Sequence, residues 1–597
     1  MKISSSWLGL ISCFFCLPIV SSATARTWHV PADAPTIQAG IDSTAAGDTV
    51  QVTCGTYFEH DIALKSGITL SGETGDPRCV VLDAQTQGRV LDCTDLTQAV
   101  GIAGITLRGG HTSEGWFEDM GGGLRCRNSS AQIRDCIFRD NAARIGAGVG
   151  IFESQAVMIN CTFVTNSATD EDWAGGGGFW GRDSTAEFHN CAFISNFAST
   201  PGNLDLPGDG GGVFCNNTQL TLTDCTFQGN ISRGGGGGLY TVTCSTSLLT
   251  RCHFEGNESQ WGGALYLEES HPRLQGCTFR ENTANMAGAI LIGRNSVPEL
   301  NACDFQLNAA TTWCGGAVAC WESRPVFRTC TFSGNTSATH GGGLSCGDSQ
   351  PYLEDSVFFA NTTPGSGGAI SCLTAVYLTL INCTLVANSA GSGGGIFCDY
   401  NAAVTLERTI IAFSSLGKSV AGATGSAYWL ACCDIYGNVG GDWVRCIVDQ
   451  FGVAGNFSAD PCFCNLEGGD FTLHTHSPCL PGNHPDGDDC GLLGAWGEGC
   501  SVTGLAGELP PIVELARAYP NPFNSGTTLE FALARSGHVR LDIFDLTGRR
   551  VTSLVDREMP AGWHRVTWRA VQQASGLYFA QFTAHGQTMI QRLVLAR

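Results

Sequence analysis

Lysine is almost missing from this 597-residue chain: Lys2, Lys65 and Lys418 are the only three. With 32 basic against 54 acidic residues, the formal charge is −22. So acidic a chain makes a poor partner for nucleic acid or an anionic membrane surface. The shortage of Lys also removes the usual base of a lyase acting on acidic sugars. Beyond the N-terminal stretch no run approaches 18 apolar residues, so no membrane-spanning helix is expected. Across the middle of the chain apolar residues do not recur at helical spacing, which excludes α/α repeats. Cysteine stops at Cys500, although the chain holds 30.

What is present is one phrase of sequence, repeated. Cys-x-Phe-x-x-Asn occurs eight times, from Cys136-Phe138-Asn141 to Cys330-Phe332-Asn335. Ser356-Phe358-Asn361 and Cys383-Leu385-Asn388 continue it in relaxed form. Between copies a Gly pair opens a short apolar run, at Leu124, Val149, Phe179, Val213, Leu239, Leu265, Ile290, Val318, Leu344, Ile370 and Ile396. Most steps are 25 or 26 residues. A fixed period in this range means a solenoid, because one repeat cannot bury its own apolar face. Runs of four to six residues, rich in Thr, Val and Cys and turned by Gly or Asn, are strands. Two or three per repeat make one coil of a parallel β-helix. A dozen or more coils at about 4.8 Å give a rod on the order of 60–75 Å long.

Equivalent residues of successive coils stack. The Phe residues are expected to form an internal aromatic column, each ring contributing roughly 2–3 kcal/mol by burial. Asn fits a turn, since it tolerates left-handed backbone and its amide can bond along the column. The Gly pair fits a corner where a Cβ clashes or φ is positive. The triplet Cys, and a second set at Cys126, Cys215, Cys320, Cys346, Cys372 and Cys398, read as buried thiols. Disulfides are expected at the irregular end, among Cys432, Cys433, Cys446, Cys462, Cys464, Cys479, Cys490 and Cys500. Zinc is the alternative there, without the paired Cys-x2-Cys elements it usually needs.

The ends differ from the middle. Lys2, the apolar stretch 7–20 and Ala23-Thr24-Ala25 read as a secretory leader over 1–25. Residues 26–120 hold an N-terminal cap and first coils, 121–400 the regular repeats and 401–500 irregular Cys-rich closing coils. A linker, 501–512, contains Pro510-Pro511. From Val513 onward ten Arg face six acidic residues, +4, so everything before it carries −26. Loss of Cys and reversal of charge mark 513–597 as a separate domain. It reads as an Ig-like antiparallel sandwich with strands at 527–533, 539–544, 564–568, 576–583 and 589–595.

Three resemblances follow from these phrases. The stretch "TIQAGIDSTAAGDTVQVTCGTYFEHDIALKSGITLSGE", with a helix expected over 36–45, resembles the opening segment of pectin-lyase-like right-handed β-helices. The Gly-Gly and Phe-x-x-Asn repeats resemble those of chlamydial polymorphic outer-membrane proteins, whose membrane barrel has no counterpart read here. The phrases "AYPNPFN", "VRLDIFDLTGRRV", "GWHRVTW", "SGLYFAQFTA" and "QRLVLAR" resemble the C-terminal sorting domain of the type IX secretion system. That resemblance implies type IX machinery as a partner. It also implies export through the periplasm of a Gram-negative bacterium to the cell surface or beyond. Tyr519, Pro520, Asn521, Pro522 and Phe523, with the final strand, would be the recognition elements. The alternative is an Ig-like domain that only folds.

Candidates for chemistry are few. Four residues past each apolar position lies a column of Glu153, Asp183, Glu269, Arg294, Glu322 and Asp348, each but Arg294 followed by Ser. It admits three readings: ordinary turn chemistry, Ca²⁺ held by Glu153, Asp183, Glu322 and Asp348, or catalysis involving Glu322. Signs alternate over Glu269, Arg294 and Glu322. Loops at 165–175 and 198–210 lengthen two coils and gather Asp170, Glu171, Asp172, Asp205 and Asp209. Asp205 and Asp209 are further catalytic candidates, and Trp173 and Trp180 could stack on a sugar ring. "GDD" at 487–489 resembles the paired Asp of polygalacturonases, without their companion phrases. His340 before Gly341-Gly342-Gly343 looks like an oxyanion motif, but that Gly run is the repeat corner. Repetition without a unique polar cluster favours a non-enzymatic surface rod, an adhesin or carbohydrate-binding protein. A polysaccharide lyase or glycoside hydrolase is the alternative.

Overall fold

The computed structural model describes residues 25–112, 119–201, 208–423, 425–500, 513–515, 518, 521, 523, 526–570 and 573–595. The leader apart from Ala25, the linker, Asp205, Tyr519, Pro520 and Pro522 lie outside them. Two compact units result, Met1–Gly499 and Cys500–Arg597.

The first unit is a parallel β-helix. Its strands stack into sheets of 16, 14, 15 and 10 strands, each neighbour one coil away in sequence. A regular coil therefore has four strands rather than two or three, as in Val213–Asn216, Gln219–Thr223, Thr226–Gln228 and Ile231–Ser232. The fourth strand is only two to five residues long and sits between the Asn turn and the Gly corner. It is too short and polar to announce itself by alternation.

The repeat phrase maps onto this frame in register. The apolar positions pair directly from Leu124 to Val149, Phe179, Val213 and on to Ile396 in the 14-stranded sheet. Phe138, Phe163, Phe193, Phe227, Phe254, Phe279, Phe305, Phe332 and Phe358 form one column of fully buried rings. Their centroids are 4.3–5.0 Å apart and their planes within 10° of parallel.

Asparagine binds the coils together. Asn257 Nδ2 donates to Asn282 Oδ1 of the next coil and to the Phe227 carbonyl of the previous one, both at 2.9 Å. Its Oδ1 accepts from the backbone N–H and the Nδ2 of Asn230, at 3.0 and 2.9 Å. Both donors and both lone pairs are thus used, in a side chain with no exposure. The pattern runs from Asn141 to Asn388. The left-handed residue of this turn is the one before Asn: Asp140, Thr165, Ser195, Gly229, Gly256, Glu281, Leu307 and Gly334. Asn is required for its amide, not for its backbone. Asn230 and Asn335, which open Asn-x-Ser/Thr sequons, are fully buried members of this column.

At the Gly corner, one short strand on from the Asn turn, Gly236 has φ +62°, and a Cβ on Gly237 would stand 2.4 Å from the carbonyl oxygen of Gly263. The triplet thiols are buried; Cys277 Sγ, for example, lies 3.5 Å from the Leu249 carbonyl. Disulfides join Cys54 to Cys79 and Cys432 to Cys490, and Cys464 and Cys500 are also disulfide-bonded. The bridge in the first coils was not expected, and Cys433 and Cys479 are buried free thiols.

The ends of the solenoid are closed by side chains that imitate a coil. Helix Ile37–Asp42 covers the first coil, with Thr36 as its cap and Glu59 accepting from the N–H groups of Ile37 and Gln38. At the far end Gln450 accepts from Leu430 N and donates to the Tyr428 carbonyl. Such caps satisfy the open edge that a stacked sheet leaves. The last full strand of the coils is Asp434–Tyr436, on which Phe457 stacks by one parallel bridge to Asp434; residues 458–500 are not further coils. They run back along the outside, where Ala495 N donates to Thr384 Oγ1 and Phe471 meets Phe359.

The second unit has two antiparallel sheets around one core, with Phe531 and Phe582 in contact across it. Arg550–Met559, a strand not read from the sequence, is an exposed edge strand carrying charges that obscure its alternation. Among the described residues no helix is long and apolar enough to cross a membrane.

Replacing Asn257 by Ala strips partners from Asn230, Asn282 and Phe227 at once. At about 1–3 kcal/mol per orphaned buried group, the loss is at least about 3 kcal/mol. Urea unfolding checks this against Asn190→Ala, which removes an exposed amide bond between two other coils, where less than about 0.5 kcal/mol is expected.

Candidate functional site

After most strands of the 14-stranded sheet the chain turns at once through a left-handed residue. Glu153, Asp183, Asn217, Thr243, Glu269, Arg294, Glu322 and Asp348 hold this place, with φ between 43° and 53°. The next residue is a buried hydroxyl in most coils. Ser154 Oγ donates to the Phe152 carbonyl at 2.8 Å and accepts from Ser129 N at 3.1 Å. Ser184, Ser270 and Ser349 likewise accept from the backbone N–H of the preceding coil. The acid–Ser dipeptide is therefore a corner: Ser is held inside and the acid is carried outside.

Two grooves follow this corner. One, of about 490 Å³, is lined by Glu153, Gln155, Asp183, Thr185, Asn217, Gln219 and Thr243. The other, of about 450 Å³, is lined by Asn295, Val297, Glu322, Arg324, Asp348 and Gln350. Each gathers one pair of acids from neighbouring coils, Glu153 with Asp183 in the first and Glu322 with Asp348 in the second. In the first, Asn217 Nδ2 donates to Asp183 Oδ1 at 2.7 Å, and Arg182 lies 3.3 Å from Oδ2. In register, Glu153, Asp183, Asn217 and Thr243 form one polar rail and Gln155, Thr185 and Gln219 a second. The expected alternation over Glu269, Arg294 and Glu322 does not form, because Arg294 turns to Glu268 instead.

The lengthened coils close over a second hydrophobic cluster outside the main core of the β-helix. Trp180 is 3 % exposed, packed with Met120, Ile145, Phe214 and Tyr240, so its ring is not available to a ligand. Trp173 stands edge-on to Phe214 at 5.1 Å, and its Nε1 donates to Asp209 Oδ2 at 3.2 Å. Asp209 Oδ1 accepts from Gly235 N at 2.8 Å. Burial pushes this carboxyl up to about 7. Nearby, Glu268 accepts from the Tyr240 hydroxyl and pairs with Arg294, and Tyr240 stacks on Tyr266 at 4.6 Å. Asp170 accepts from the N–H groups of Asp172 and Trp173. The insertions thus clasp the coils. Glu268, Tyr240 and Tyr266 escaped sequence reasoning, which followed Glu269; the aromatic run Trp180, Phe214, Tyr240, Tyr266, one place after each apolar residue, was the available signal.

A second buried acid closes the far end. Asp434 Oδ1 accepts from Ala459 N at 3.0 Å, and the Cys479 thiol donates to Oδ2 at 3.3 Å. Burial pushes Asp434 up to about 8. The Gly487–Asp489 phrase is an exposed loop beside the Cys432–Cys490 bridge. Among the described residues no group of three or more His, Cys, Asp or Glu could hold a metal ion.

Comparison with known proteins agrees with this frame. The family model described as "Right handed beta helix region" matches residues 172–324 and 211–411. The model described as "Secretion system C-terminal sorting domain" matches 517–596. The chain is thus an all-β, right-handed parallel β-helix followed by a secretion sorting domain, which indicates export to the cell surface or extracellular space. A polygalacturonase from Erwinia carotovora ssp. carotovora is 12 % identical, with a TM-score of 0.19 over 68 % of this chain and 94 % of that one. The enzymatically active domain of bacteriophage CBA120 tailspike protein 4 is 10 % identical, with 0.21 over 92 % and 62 %. Both scores lie far below that of a shared superposition, so the fold rests on the strand pairing above. No curated protein matches the chain.

Within the sorting domain, Asn521 and Phe523 hold the last strand. Asn521 Nδ2 donates to the Arg592 carbonyl and Oδ1 accepts from Val594 N, both at 2.7 Å. Phe523 is buried, packed on Trp568.

Between about pH 4 and 8 folded Asp434 keeps a proton that the unfolded carboxyl has lost. Stability therefore falls as pH rises through that window and levels off above it. Asp434→Asn should match the wild type near pH 4 and be the more stable protein at pH 9, by urea midpoint. Parallel curves for the two proteins across the range would contradict the assignment.

Proposed function

We propose that this is a surface or extracellular polysaccharide-binding rod, exported by type IX secretion machinery, that holds its ligand along the corner groove without cleaving it. The observation that carries the reading is the pair of polar rails in register, Glu153-Asp183-Asn217-Thr243 and Gln155-Thr185-Gln219. An extended polymer lying along the rod meets hydroxyl, amide and carboxylate groups again at each coil, about 4.8 Å apart. Such groups suit sugar hydroxyls and, with two carboxylates exposed, amino sugars rather than uronic acids.

The lyase or hydrolase reading draws less support. Glycoside hydrolysis uses two carboxyls facing the scissile bond. Asp209, the catalytic candidate whose proton affinity burial raises, is buried with both oxygens engaged by Trp173 and Gly235. Glu322 shares its groove with Arg324 and Asp348.

Binding of the purified full-length mature chain to neutral, amino-sugar and uronic-acid polysaccharides tests the proposal. Affinity without release of reducing or unsaturated ends is expected, and the combined Glu153→Gln and Asp183→Asn variant should bind amino-sugar polymer about tenfold more weakly. Chain cleavage that these substitutions abolish would establish the enzyme instead. For export, removing 513–597 in a host with a type IX system should keep the rod from the surface of intact cells. Equal surface labelling of both forms would leave the terminal domain a simple cap.

A further inference from the structure

The two cysteine columns differ in how closely their sulfurs approach. In the triplet column each thiol meets backbone carbonyls as well as the triplet thiols of neighbouring coils. Cys303 Sγ, for instance, lies 3.5 Å from the Asn301 carbonyl and 3.7 Å from that of Leu274. In the second column Cys320 and Cys346 occupy directly paired positions of adjacent coils, and their sulfurs are 2.7 Å apart. That is well inside the contact distance of two sulfur atoms that are not bonded. Both side chains are fully buried.

The chain already bridges neighbouring coils in this way. Cys54 and Cys79 immediately precede the paired residues Gly55 and Val80, and they are disulfide-bonded across a Cα separation of 4.8 Å. Their sequence separation of 25 is one coil. Cys320 and Cys346 stand in the same relation, 26 residues apart. The β-sheet spacing that permits the first bridge is therefore present at the second.

We propose that Cys320 and Cys346 are joined by a disulfide in the exported protein. Formation takes two electrons and two protons from the thiols. One thiolate attacks the disulfide of a periplasmic thiol–disulfide oxidoreductase, giving a mixed disulfide; the second thiolate displaces the oxidoreductase, which leaves as its dithiol. Because both sulfurs are enclosed, exchange occurs while the coils are still closing. Once they have closed, the bond is out of reach of soluble reductants. The bridge ties together the two coils that carry Glu322 and Asp348, whose carboxylates line one groove.

The test uses the full chain purified from a periplasm-exporting host, unfolded in denaturant with N-ethylmaleimide and no reductant, then digested for mass spectrometry. Cys320 and Cys346 are expected in one cross-linked peptide pair, unlabelled before reduction and labelled after it. Cys277 and Cys303 should be labelled from the start. In Cys346→Ser, Cys320 should become fully labelled. Labelling of Cys320 and Cys346 before reduction, or a cross-link from either to Cys372, would overturn the proposal.

Discussion

Everything in the long unit depends on one amide meeting its copy a single coil away. A side-chain amide has two donors and two acceptor sites, and only a partner with the same geometry at the same spacing can use all of them. Asn provides that partner by repeating. The column from Asn141 to Asn388 puts fully satisfied polar groups in a place where an unsatisfied one would cost more than the turn is worth. The Phe rings follow the same rule. At 4.3–5.0 Å and nearly parallel, each ring packs on the next because the backbone sets the spacing.

The same repetition limits where function can lie. The inside is filled by Phe, Leu, Val and Cys, and the Asn turn and Gly corner are closed by their own contacts. Variation is tolerated at the left-handed corner, where the side chain points outward and only the following hydroxyl is held. Glu, Asp, Asn, Thr and Arg all appear there. The grooves form at this corner because it is the position the fold leaves open. Irregular coils do the opposite work: the insertions carrying Trp173 and Asp209 bury polar groups to fasten themselves, and their acids are drawn into the protein.

The sequence made the solenoid, its period, its inner Phe column and its Gly corner legible, because each is a residue type recurring every 25 or 26 places. The fourth strand was hidden because it is short and lies between two turns that read as one. The left-handed residue before Asn was hidden because seven different residue types occupy it between Asp140 and Ala387. The closing segment 401–500 read as coils because its cysteines continue; to Tyr436 it is coils, and its later residues strap the outside of the rod instead. Of the candidate site, the acidic column was legible as a register and its pairing was not. Arg294 chooses Glu268 over Glu269, a choice made by burial that a list of positions does not contain.

Native-state hydrogen exchange tests the central claim most directly. Each backbone N–H from Asn141 to Asn361 donates to the Oδ1 of the Asn one coil further on. If the amide column ties the coils into one cooperative body, these N–H groups should exchange only when the whole unit opens, and all at one free energy. Exchange of individual Asn amides at widely different free energies, coil by coil, would show that the column is an ornament of the fold and not its support.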